Sequence, residues 1–70
     1  MDEKIKCYKL LIPAKYGGYI GHIIPEGKSR GGAIIMLAGE TEASTEAKLL
    51  EAINNAPQKY KDKYDFTAMN

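Results

Sequence analysis

Cysteine, histidine and tryptophan are nearly missing from this chain: Cys7 and His22 each stand alone, and there is no tryptophan. One thiol cannot close an intramolecular disulfide, and one thiol with one imidazole is too few for the common zinc sites. The fold is therefore expected to form without cross-link, metal or cofactor. Long apolar runs are missing too. None approaches the ~18–20 residues that a membrane helix needs, and Met1-Asp2-Glu3 does not open like a signal peptide. An excess of one charge is also absent: ten Lys and Arg face nine Asp and Glu, for a net charge of +1. That balance argues against a general nucleic-acid binder, whose affinity rests on phosphate neutralisation. It fits a mixed, solvated surface. Single-cysteine usage suits a reducing cytoplasm, and no membrane association is expected.

Seventy residues allow one domain, spanning 1–70, with a small core. Without staples a chain this short needs tight packing or association. A homo-dimer or higher oligomer is the expectation.

What is present is organised around one helix. Gly39 to Ala56 reads G-E-T-E-A-S-T-E-A-K-L-L-E-A-I-N-N-A. Thr41 or Ser44 can cap its first turn, and Glu42 and Glu46 suit the positive end of its dipole. Leu49, Ala52, Ile53 and Ala56 recur at i, i+3, i+4 and i+7, a single apolar stripe. Leu50 and Ala47 are expected to widen it, and Pro57 to stop it.

The segments before the helix read as strands. Lys4 to Ile12 alternates, with Ile5 and Cys7 on one phase and Tyr8, Leu10 and Ile12 on the other. A bulge near Cys7–Tyr8 would explain the change, with Lys4, Lys6 and Lys9 filling much of the second face. Gly17-Gly18 permits the positive φ of a hairpin turn, and Tyr19 to Ile24 follows as a second strand closed by Pro25. Glu26 to Gly32 is a polar, glycine-rich loop, expected to be the most mobile part. Ala33 to Ala38 is a continuous apolar run, expected to be a strand buried on both faces, with a second copy of the protein on the side away from the helix. Gln58 to Asn70 reads as a short strand through Tyr64, Phe66 and Ala68, or as a frayed tail. The fold class is thus α+β: a three-stranded antiparallel meander with one helix on one face, and room for a short fourth strand.

Chemistry is sparse. Gly27-Lys28-Ser29 ends like a phosphate-binding P-loop, but five residues instead of four separate Gly21 from Gly27, and Arg30-Gly31-Gly32 precedes a strand instead of a helix. A looser anion cradle of Lys28, Ser29, Arg30 and glycine amides stays open beside the plain reading, a solvated loop. Tyr16 and Tyr19, with the other tyrosines, could stack on bases or serve as ordinary interface residues; nucleic acid is not the favoured partner. His22 has no serine, cysteine or carboxylate placed to make it a general base, and reads as a surface or interface residue. Cys7 beside Lys6 and Lys9 is either a sensitised or an inert buried thiol. The acids are badly placed for paired-carboxylate work. No enzyme is expected.

Gly17-Gly18-Tyr19, Pro25-Glu26, Gly39-Glu40-Thr41 and Glu51-Ala52-Ile53 together resemble the HicB-like antitoxin domain, a partial RNase H-like fold. The likeness covers about Tyr8 to Asn55. It departs in the long loop from Pro25 to Gly39, which lacks a second proline-glycine pair. It departs again at Ala43-Ser44-Thr45, where the family has Glu-Glu-Ala. The resemblance implies a sheet–helix fold without the RNase H catalytic acids, commonly dimeric or larger, that binds and blocks a protein partner. The residues after Pro57 are too few for the DNA-binding segment of a full antitoxin. The functional expectation is an antitoxin-like inhibitor of a protein. Two alternatives are a phage-type inhibitor of a host or defence protein, and a small-ligand or nucleic-acid binder using the 26–32 loop.

Overall fold

A computed structural model describes residues 3–66. Strand β1 runs Ile5–Pro13, β2 Tyr19–Pro25 and β3 Ile35–Gly39; helix α1 runs Glu42–Asn54, a short helix α2 Gln58–Lys63, and a final strand β4 Tyr64–Asp65. The four strands form one sheet in the order β3-β2-β1-β4. β1, β2 and β3 are the expected antiparallel meander, whereas β4 pairs parallel to β1 through Ile5–Tyr64 and Lys6–Asp65. The fold is α+β with a mixed sheet, and α1 lies on one face.

The β1–β2 hairpin turns where Gly17 and Gly18 take φ of 106° and 78°. A side chain at Gly18 would also meet the Gly39 carbonyl oxygen at 2.6 Å. The register then runs unbroken from Cys7–Pro25 to Pro13–Tyr19, so there is no bulge at Cys7–Tyr8. The change of phase has another cause: β1 is apolar on both faces. Cys7 and Leu11 join the core under α1, while Tyr8, Leu10 and Ile12 lie on the opposite face. Lys9 falls on the helix face, not the solvent face expected of it, and its ammonium reaches Glu46 of α1 at 2.6 Å.

Helix α1 begins with a capping box. Thr41 Oγ1 accepts from the Ser44 N–H and Ser44 Oγ accepts from the Thr41 N–H, both at 3.0 Å, so two of the free N–H groups of the first turn find partners. Thr45 and Leu49 are its buried residues. Close approach here depends on glycine. A Cβ on Gly39 would lie 2.8 Å from Thr45 Cα and 2.9 Å from its nitrogen; one on Gly21 would lie 2.8 Å from Leu49 Cδ1. The helix therefore rests directly on the backbone of β2 and β3. Leu50 does not widen its apolar stripe but is 54% exposed, because it lies toward the solvent edge of the Thr45–Leu49–Ile53 face.

Gln58–Lys63 is helical, not a frayed tail, and the short fourth strand follows it at Tyr64–Asp65. Pro57 both follows α1 and opens α2, its carbonyl accepting from the Tyr60 and Lys61 N–H groups at 2.9 and 3.2 Å. Lys61 Nζ donates to the Asn54 carbonyl at 2.8 Å, satisfying one of the orphan carbonyls that end α1. Tyr64 then packs edge-on to Tyr60 at 6.0 Å and, with Phe66, against the core. Ala68, the last residue of the expected alternation, lies outside the described residues.

β3 is an edge strand, and it is not buried on both faces. Ile35 and Leu37 pack toward the core, whereas Met36 is 68% exposed. Among the described residues, Cys7, Ile23, Ile24 and Leu49 are the buried hydrophobic side chains, a core as small as the chain length implied.

Candidate functional site: the open face of the sheet

The register puts Tyr8, Leu10 and Ile12 of β1 beside Ile24, His22 and Ile20 of β2, with Met36 and Ala38 of β3 beyond them. These residues alternate with those under α1 and so share the face that carries no helix. It is apolar except for His22, the Tyr8 hydroxyl and, at the start of β1, Lys6. Toward the end of β2 the face is not open, because the segment carrying the Arg30–Gly32 turn packs on that strand: Ile24 is fully buried and His22 is 4% exposed. Around them Tyr8 and Met36 stay open to solvent, at 43% and 68%. Tyr8 also ties down the 26–32 loop, since its hydroxyl donates to the Lys28 carbonyl at 3.2 Å.

His22 is therefore buried, not a surface residue. It lies in the middle strand between Leu10 and Met36. Its Nδ1 is 3.4 Å from the Leu10 carbonyl oxygen, a donation in the Nδ1–H tautomer.

The six candidate residues do not converge. Tyr16 is 92% exposed at the tip of the β1–β2 hairpin, with the Lys15 ammonium 5.5 Å from its ring centre. Tyr19 opens β2 on the helix face, paired with Pro13 and Gly39. Lys28, Ser29 and Arg30 follow the other end of β2, the length of a seven-residue strand away, or roughly 20 Å. Their loop is exposed and contains a single 3-10 turn, Arg30–Gly32. Part of its backbone is engaged: Glu26 N–H donates to Lys6, Lys28 N–H to Pro25 and Gly32 N–H to Ser29. A phosphate cradle needs convergent amides pointing at the ligand, and the Lys28 and Gly32 amides are used by the loop's own turns instead. Lys28 folds back along Gly32, where a Cβ would meet its side chain at 2.9 Å.

Cys7 is buried in the core. Burial, and then the negative charge of Asp65, hold its pKa above the ordinary thiol value, so the sensitised-thiol reading gives way to the inert one. No group of three or more His, Cys, Asp or Glu side chains among the described residues could hold a metal ion. No helix among them is long and apolar enough to cross a membrane.

Sequence reasoning missed two members of the open face. Tyr8 counted only as one tyrosine among several, and Met36 as part of a doubly buried strand. The available signal was the unbroken alternation of Tyr8, Leu10 and Ile12 with Ile20 and Ile24, which marks a second apolar face, one that the helix on the first face cannot cover. No family model, curated protein or solved structure matches this chain.

Proposed function

We propose that this protein is a small non-enzymatic interaction module that binds a protein partner across its open sheet face and inhibits it by occlusion, as an antitoxin does. The observation that carries this reading is the exposed Tyr8 and Met36 on an apolar face opposite the helix. Exposed apolar surface rimmed by polar residues marks interaction sites, and aromatic and methionine side chains are enriched at interface centres. The HicB-like motifs around Gly17-Gly18-Tyr19 and Glu51-Ala52-Ile53 support the same role. A reducing cytoplasm is the setting this reading assigns, consistent with a lone thiol.

The test is co-expression with the product of the neighbouring gene. Growth arrest by that product, relieved by this chain but not by its Tyr8→Glu variant, is the expected result, with a 1:1 complex recovered on size-exclusion. No relief and no complex, or equal relief by Tyr8→Glu with an unchanged circular dichroism spectrum, removes the reading.

A further inference from the structure

The exposed edge of β3 has a specific hydrogen-bonding pattern. The Glu26 N–H donates to the Lys6 carbonyl at 2.7 Å, which extends the β1–β2 register by one pair and sets its phase. In an antiparallel ladder both backbone groups of a residue point the same way, and successive residues alternate. Ile20, His22 and Ile24 therefore bond to β1, while Tyr19, Gly21 and Ile23 bond to Gly39, Leu37 and Ile35 of β3. The N–H and C=O groups of Met36 and Ala38 are left facing outward. The Lys48 ammonium, from α1, reaches the Ala38 oxygen at 3.2 Å, as that phase requires.

Of the usual guards of a free edge, β3 has its short length and the Lys48 ammonium on its Ala38 oxygen, but none among its own side chains. Its five residues, Ile35–Gly39, include no lysine, proline or other charge. The free edge of β1 beyond β4 carries Lys9 and Pro13 instead. Beside β3 lies a groove of about 350 Å³ lined by Leu37, Lys48, Glu51, Ala52 and Asn55.

The geometry points to a second copy of this chain as the occupant of that edge, paired β3 to β3 in antiparallel about a two-fold axis at Leu37. Met36 then exchanges both backbone bonds with the partner's Ala38, and the symmetry repeats the exchange. The Ala38 oxygen keeps Lys48 on its second lone pair. An axis normal to the sheet leaves both α1 helices on one face, running antiparallel across the joined grooves. Lys48 of one copy then faces the partner's Glu51, and Glu51 the partner's Lys48. This self-complementary pair of opposite charges, with small Ala52 between the helices, favours a two-fold partner over an unrelated strand. The two sheets become one of eight strands, and the open face stays free, so the pairing stands independently of the inhibitory function.

Sedimentation and amide exchange test it. The expected mass in solution is twice that of the chain, with Met36 and Ala38 amides slow to exchange and speeding up on dilution. Lys48→Glu and Glu51→Lys, both at exposed positions, each weaken the dimer at least tenfold, and the double variant restores it. A monomer at every concentration overturns the proposal. So does a dimer in which Met36 and Ala38 exchange freely, or one in which the double variant stays as weak as the singles while circular dichroism shows a native fold.

Discussion

Single residues decide how near α1 can sit to the sheet. Gly39 faces the backbone of Thr45, which cannot move aside without moving the helix. Gly39→Ala is expected to destabilise by about 1–3 kcal/mol, the usual range for overpacking. That lowers the melting temperature by roughly 5 °C or more. Gly31→Ala is the control: the nearest atom to its Cβ would be Ser29 Oγ at 3.9 Å, so that variant should melt within about a degree of wild type or slightly above. Equal melting of the two variants would show that the contact at Gly39 is relieved at no cost. Cys7 makes a pH-dependent prediction. Its thiol ionises later in the folded protein than in the unfolded chain, where the pKa is ~8.5. Above that pH the unfolded state binds fewer protons, so stability falls as pH rises toward the folded value. Urea midpoints measured from pH 8 to 10 should fall more steeply for wild type than for Cys7→Ala; parallel curves would refute the buried-thiol account.

At the scale of elements, the sequence was most legible where local chemistry acts alone. The Thr41–Ser44 capping box, the Gly17-Gly18 turn and the stop at Pro57 are local devices, and each stands where its residues placed it. Removing the Thr41 hydroxyl in Thr41→Ala should cost about 1 kcal/mol. It should leave partner binding unchanged, since the cap lies at the N-terminus of α1, away from the open face; a loss of binding without a loss of stability would contradict that. Legibility failed where an element depends on a distant neighbour. α2 is only six residues long, too short for periodicity to speak. What holds it is tertiary: Lys61 on the end of α1, Tyr60 on Tyr64, and Tyr64 on the core. β3 was misjudged for a similar reason. An apolar run predicts that both faces are buried, yet edge position is a property of the whole sheet and not of the run.

Over the whole molecule, the class of fold could be read in advance and the candidate site only in part. Six residues were singled out, and the strand order separates them into a hairpin tip, a buried histidine and a distant loop. Tyr8 and Met36 emerge only when the β1–β2–β3 register aligns them on one face. One pairing, Ile5 with Tyr64, also has a meaning in time. It joins the first strand to the last across nearly all of the described chain, and so closes the longest loop in the fold. The hairpin and the helix can form from near neighbours, but this clasp must wait for the chain to be nearly complete. It is expected to close last in folding, and in native-state amide exchange the backbone of Tyr64 and Asp65 should open well before that of β2.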